Sequence, residues 1–150
     1  MNIGVLGAGS WGSSLSRILS DNSHNVTLWH HSQNFIDKHN KPLDNYTKIK
    51  YTSNLDIIKN FDVLLIALPS HAIKSVLSRV KINKNIIIVN CSKGFDLYKK
   101  KRLSSVIIKE LGIDINNFSV LSGPSHAEEV FNRIPTAFSG YIVASSLLSA

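Results

Sequence analysis

The stretch "GVLGAGSWGSSL", residues 4–15, decides how this chain is read. A short run of β-branched residues and leucine, Asn2 to Leu6, is halted by Gly7, the pattern of a buried strand. A helix follows at once, because Trp11, Leu15, Ile18 and Leu19 recur at i, i+4, i+7 and i+8 and share one face. Between them lies Gly7-x-Gly9-x-x-Gly12. Glycines so spaced arise by chance, but here they close a strand and open a helix, which is how a pyrophosphate is seated on a helix N-terminus. Gly7 permits the tight turn, Gly9 lets the phosphate approach, and Gly12 lets helix and strand pack closely. The same letters, Ala8-Gly9-Ser10-Trp11-Gly12, also approximate the G-x-S-x-G turn of serine hydrolases, with alanine in the first place. A hydrolase serine normally follows several strands, and residue 10 comes too early.

The pattern repeats outward from that turn. Asn25 to Trp29 reads as a second strand, Ser32 to about His39 as a polar helix ended by Pro42, and Ile49 to Thr52 as a short strand. Leu55 to Lys59 reads as a short helix, Val63 to Ala67 as an apolar strand closed by Pro69, and Ala72 to Val80 as a helix. Asn85 to Asn90 is another buried strand, Asp96 is expected to cap a helix running to Leu111 with Gly112 as its stop, and Phe118 to Leu121 closes the series. Apolar strands alternating with helices predict an α/β fold, a Rossmann-type doubly wound and mostly parallel sheet with helices on both faces.

Composition bounds the rest. The 150 residues, 43% hydrophobic and 18% charged, suit one folded domain, and the formal charge of +7 favours anionic partners. One cysteine, Cys91, excludes an internal disulfide framework and points to a reducing, cytoplasmic setting. The N-terminus begins its strand without a basic leader, so no targeting segment is read, and the apolar "YIVASSLLSA" at residues 141–150 is expected of a chain cut from a longer protein. The longest apolar run, Val63 to Leu68, is far short of the roughly 20 residues of a membrane helix, so no membrane insertion is expected. The basic run "YKKKR", residues 98–102, lacks the aromatic or zinc-finger patterns of nucleic-acid binders and reads as a charged helix face. No metal-ligand spacing appears among the six histidines.

The end of the second strand bears on the coenzyme. A ribose without a 2′-phosphate is usually held by an acidic residue about 20 residues past the glycines. Here the chain reads "LWHHSQN", and with His30, His31 and Ser32 there and no carboxylate before Asp37, a 2′-phosphate would meet donors without repulsion. NADP is favoured and NAD is the alternative. Two solvated loop histidines would be the plain reading.

Three further strand ends carry polar groups. "ALPSH", residues 67–71, offers Ser70 and His71 either to the ligand crevice or, through Ser70, to a helix cap. "NCSKGFD", residues 90–96, offers Lys93 either to an anionic substrate and a nicotinamide ring or as one of many solvated lysines, and Cys91 as a thiol that Lys93 could activate or as a buried structural residue. "LSGPSHAEEVFNRIPTA", residues 121–137, brings backbone donors and a helix start near Ala127, where Glu128 and Glu129 complement the helix dipole.

Together "GAGSWG", "LWHH", "LPSH", "SKG" and "LSGPSHAEEV…PTA" resemble, in order and spacing, the N-terminal domain of bacterial-type NAD(P)-dependent glycerol-3-phosphate dehydrogenases, over nearly the whole chain. The resemblance implies an oxidoreductase that interconverts dihydroxyacetone phosphate and sn-glycerol 3-phosphate by hydride transfer and feeds phospholipid synthesis. It implies that Ser10 and Trp11 bind cofactor phosphates, that His31 lies near the adenosine ribose, and that Lys93 contacts cofactor and substrate. Gly123 and Ser125 would lie by the substrate and Ala127 by the cofactor, while His126 departs from the aromatic residue common at its position. The family's proton-transferring lysine belongs to a helical C-terminal substrate domain, through which a homodimer would also form. No residue of 1–150 inherits its role, so this chain is expected to be the cofactor-binding half, inactive alone. The other functions carried forward are a non-catalytic dinucleotide-binding module and an NADP-dependent reductase of another small acid.

Overall fold

The computed structural model describes residues 1–39, 49–96 and 100–142, with the side chains of 141 and 142 left aside. The first strand, β1 (Asn2–Leu6), leads through the glycine turn into α1 (Ser10–Asp21), then β2 (Asn25–Trp29), α2 (Gln33–His39) and β3 (Lys50–Thr52). A 3-10 turn (Asp56–Asn60) precedes β4 (Val63–Ile66), α3 (Ser70–Leu77) and β5 (Ile87–Asn90). A small antiparallel pair, β6 (Phe95–Asp96) with β7 (Lys101–Arg102), leads into α4 (Leu103–Leu111), and β8 (Phe118–Ser122), α5 (Ala127–Phe131) and β9 (Ser139–Ile142) complete the described chain.

The main sheet has the order β3-β2-β1-β4-β5-β8-β9, parallel throughout except for β9, which runs against β8. The central strands are apolar without alternation because both faces are covered. On one face Leu6, Leu64, Ile66, Ile88 and Phe118 pack with Ile73, Leu77 and Ile107 of the helices α3 and α4. On the other, Ile3, Val5, Val26, Leu28 and Leu65 pack with Leu15 of α1. Burial of each of the largest of these side chains contributes about 1.5–3 kcal/mol.

Register positions the site. Leu6 pairs with both Trp29 and Ile66, and Ile66 pairs with Asn90, so four strands end in one row. The ladder continues one residue further: the Gly7 amide donates to the Trp29 carbonyl (3.1 Å), Ala67 to Leu6 (2.8 Å) and Cys91 to Ile66 (2.8 Å). The turns after β1, β2, β4 and β5 therefore share one edge of the sheet.

Several element boundaries depart from the sequence reading. The helix expected from Asp96 to Leu111 begins only at Leu103, because Asp96 pairs with Lys101 across a small ladder, Lys100 has a φ of 48°, and Arg102 is extended. Lys101 and Arg102 thus lie on a strand and not on a charged helix face; Tyr98 and Lys99 lie outside the described residues. Pro69, with φ fixed near the helical value at −56°, occupies the cap position of α3, so that helix starts at Ser70 instead of Ala72 and ends by Leu77. Ser70 is its first turn and caps nothing. Gly112 does terminate α4, in the left-handed conformation (φ 61°). Pro42 and residues 143–150 lie outside the described residues.

Candidate functional site

Between β1 and β4 the chain order turns back, and there the carboxyl ends of the strands open onto a crevice of about 610 Å³. Gly7, Gly9, Ser10 and Trp11 line it from the first turn, His30 and His31 from the end of β2, Lys93 from the end of β5, and Ala127 from the start of α5.

The three glycines have three different reasons. Gly7 has a φ of 108°, and a Cβ on it would stand 2.5 Å from the Ala67 carbonyl oxygen. A Cβ on buried Gly12 would overlap the carbonyl oxygen of Gly7, so α1 can lie this close to the turn only without one. Nothing of the protein lies within 4 Å of a Cβ built on Gly9. Gly9 is also the N-cap of α1, which has no side-chain cap and no acidic residue in its first turn. The leading amides and the positive end of a twelve-residue helix thus face open space, which fits an anionic group of the pyrophosphate type.

Trp11 does more than open an apolar stripe. It packs beside Leu15 against the face holding Ile3 and Val5, yet its indole also lines the crevice. Lys93 Nζ stands 5.9 Å from the centre of that ring, and the Phe138 ring is 5.8 Å away at 45°. The Trp11 indole therefore faces both the apolar core and the crevice.

At the β2 end the His30 amide donates to the Thr52 carbonyl (3.0 Å), and His30 Nδ1 accepts from the Ser32 amide (3.1 Å). Partial burial lowers the His30 pKa below its ordinary 6.5; the contact with the Ser32 backbone opposes that shift, and neighbouring His31 and His39 add to it. Asp37, the first carboxylate past β2, sits on α2 and accepts a 2.8 Å bond from Gln33 Nε2.

At the β5 end Asn90 Oδ1 accepts from the Ser92 amide (3.1 Å) and Ser92 Oγ donates to the Ile66 carbonyl (3.1 Å), which fixes the turn that presents exposed Lys93. Cys91 is buried, and burial pushes its thiol up to about 12, so Lys93 does not make it a nucleophile. The "LPSH" residues divide. Leu68 and Pro69 reach the crevice, whereas Ser70 and His71 line a separate cavity of about 410 Å³ with Asp96 and Leu103. Their expected place in the crevice is thus corrected: once Pro69 starts α3, the chain leads away from the strand ends.

The segment after β8 is held from the side of α1. Arg133 pairs with Asp21 (2.9 Å), Arg17 lies 4.5 Å over the Phe131 ring, and Ser14 Oγ donates to the Ala127 carbonyl (2.8 Å). Ala127 and His126 therefore line the crevice. Gly123 and Ser125 do not: Gly123 is exposed against the Ala137 backbone and Ser125 is buried. His126 is an exposed helix cap whose amide donates to Glu129 Oε2 (3.3 Å), so Glu129 serves the helix start directly. The sequence singled out neither His126 as a crevice residue nor Phe138 as the ring beside Trp11. The position of His126 one residue before a helix start was the available signal, and Phe138 had none. Among the described residues no group of three or more metal-ligating side chains gathers, and no helix is long and apolar enough to cross a membrane.

Residues 2–146 match the family model described as the NAD-dependent glycerol-3-phosphate dehydrogenase N-terminus. The chain is 40% identical to the glycerol-3-phosphate dehydrogenase (NAD(P)+) of Thermoanaerobacter sp. (strain X514), over 91% of this chain and 44% of that protein. It is 38% identical to the protein of the same name from Thermotoga sp. (strain RQ2), over 91% and 43%. A crystal structure of glycerol-3-phosphate dehydrogenase from Coxiella burnetii superposes with a TM-score of 0.79 at 32% identity, covering 93% of this chain and 46% of that one. A ketopantoate reductase from Ralstonia eutropha JMP134, at 15% identity and a TM-score of 0.65, shares the fold, covering 81% of this chain and 41% of its own. The chain spans under half the length of the curated relatives it matches.

Proposed function

This chain belongs to the NAD-dependent glycerol-3-phosphate dehydrogenase N-terminus family, and from that premise we propose that it is the NAD(P)-binding domain of an oxidoreductase interconverting sn-glycerol 3-phosphate and dihydroxyacetone phosphate. The observation that carries the reading is the uncapped start of α1 opposite Gly9, in a crevice at the switch point of a parallel sheet. The amides of Ser10 and Trp11 would hold the pyrophosphate, His31 the adenosine ribose, and Lys93 and Ala127 the nicotinamide half. A bound nicotinamide supplies or accepts the hydride. Lys93, a cation at the strand end, would also orient the phosphorylated substrate.

Gly123 and Ser125 do not line the crevice, so for them to meet substrate the site would have to be completed by a helical domain of the full-length protein. That domain would bring the proton-transferring lysine and the homodimer contact, and this chain alone would bind coenzyme without turnover. NADP is favoured over NAD because the end of β2 presents two imidazoles and its first carboxylate is already engaged by Gln33. The single buried thiol supports a reducing, cytoplasmic setting.

Calorimetric titration of the chain with NADPH and NADH tests this, together with an assay of dihydroxyacetone phosphate reduction. NADPH is expected to bind more tightly, His31→Asp to lower that preference about tenfold by placing a carboxylate beside the 2′-phosphate, and turnover to be absent. Equal binding of both coenzymes, unchanged in the variant, would remove the NADP reading; turnover by this chain alone would remove the half-enzyme reading.

A further inference from the structure

The crevice wall at the end of β2 is one end of a file of five rings. His30 and His31 have centroids 4.3 Å apart, His30 and Phe35 4.1 Å, Phe35 and His39 3.9 Å at 19°, and His39 and Tyr51 5.6 Å. Phe35 and His39 come from α2, Tyr51 from β3, and His30 and His31 from the turn after β2, so two elements and a turn hold the file together. Of the five rings, His30 and His31 line the crevice.

The two imidazoles are not equivalent. His30 touches both His31 and Phe35, and its Nδ1 accepts the Ser32 amide. A ring nitrogen that accepts carries no proton, which places the proton on Nε2 and leaves the imidazole neutral. Exposed His31 belongs to the file through its contact with His30. Resting on the reading of this crevice as a dinucleotide site, we propose that His30 is a positioning residue for coenzyme specificity: it is the neutral ring that holds His31 against the place of the adenosine 2′-phosphate, and not a second donor to that phosphate. The two adjacent histidines of "LWHHSQN" thus divide the work, one gripping and one holding. Burial supports the division, since it disfavours charge on His30.

Holding and donating predict opposite outcomes for two substitutions. His30→Phe keeps a ring without a polar atom, and His30→Gln keeps a donor without a ring. The full chain and both variants are titrated with NADPH and with NADH by calorimetry, with melting temperatures recorded alongside. The ratio of NADPH to NADH affinity is expected to stay within about twofold in His30→Phe and to fall about fivefold in His30→Gln, the scale of one lost aromatic contact. A ratio kept in His30→Gln but lost in His30→Phe would overturn the proposal in favour of a direct donor. A change of equal size for both coenzymes, or no change in either variant, would reduce His30 to a structural residue. Failure of the unmodified chain to bind either coenzyme would instead sink the dinucleotide reading itself.

Discussion

On the β1 side of the crevice a single methyl group added at Gly12 would run into the carbonyl oxygen of Gly7, whereas on the β8 side Gly123 and Ser125 stand off the crevice altogether. The first side takes its shape from backbone sterics, Gly12 against Gly7 within six residues of chain and Gly7 against Ala67 at the end of the neighbouring strand β4. The second takes it from contacts between segments far apart in sequence, such as Ser14 with Ala127 and Asp21 with Arg133. A site half built of backbone is complete once β1, α1 and the end of β4 are in place. A site half built of docked segments changes with whatever else packs against it.

The largest expected effect tests the first half. Gly12→Ala should destabilise the chain by about 3 kcal/mol, at the upper end for overpacking because backbone meets backbone, and should abolish NADPH binding. Gly9→Ala is its control: with nothing within 4 Å of the new methyl group, stability should change by less than about 0.5 kcal/mol, while NADPH binding should weaken at least tenfold if, as proposed, the phosphate approaches the backbone there. Urea melts and calorimetry on the pair read both numbers, and a Gly9→Ala chain that binds like the parent would erase the distinction between glycines for folding and glycines for ligand.

The second half should respond more softly. Gly123→Ala places a Cβ against the Ala137 carbonyl oxygen, in an exposed loop that can shift, so a loss of about 1–2 kcal/mol is expected. A cost as large as that of Gly12→Ala would mean that this loop is as rigid as the turn. Arg133→Ala removes an ion pair whose side chains are 66% and 33% exposed, and should cost less than about 1 kcal/mol, shrinking further in 0.5 M salt.

The smallest effect is on pH dependence. The His30 pKa is lowered in the folded chain, so the unfolded state binds the proton more readily. The stabilisation is whole above the unfolded value near 6.5 and is lost as pH falls through the folded value. Parent and His30→Phe chains melted at pH 7.5 and 5.5 should diverge, with the parent losing more on acidification. Parallel losses would show that His30 stays neutral in both states or charges equally in both.

The local half of this molecule was legible residue by residue. Apolar runs such as Val63–Ile66 and Ile87–Asn90 read as strands because both faces of a parallel sheet are buried, and Gly7 and Gly12 read as a tight turn with close helix packing because strand and helix abut them. The stop at Gly112 was legible for the same reason, since a left-handed residue at a helix end is written in one letter. The helix expected from Asp96 failed because the pairing of Phe95 with Arg102 is a choice between two locally acceptable conformations. Ser70 and His71 were misplaced because one proline set the start of α3 and with it the direction of the chain.

What the amino-acid order alone determined is therefore the alternation of elements, the glycine cradle and the family to which the chain belongs, since these rest on periodicity, on φ and on motif spacing within short windows. What the tertiary structure decided is which side chains meet: Lys93 over Trp11, Phe138 beside it, His30 between His31 and Phe35, and Gly123 and Ser125 held off the crevice. The physical reason is range. Backbone sterics act between neighbours in the chain, whereas these meetings join residues brought together by strand order and register.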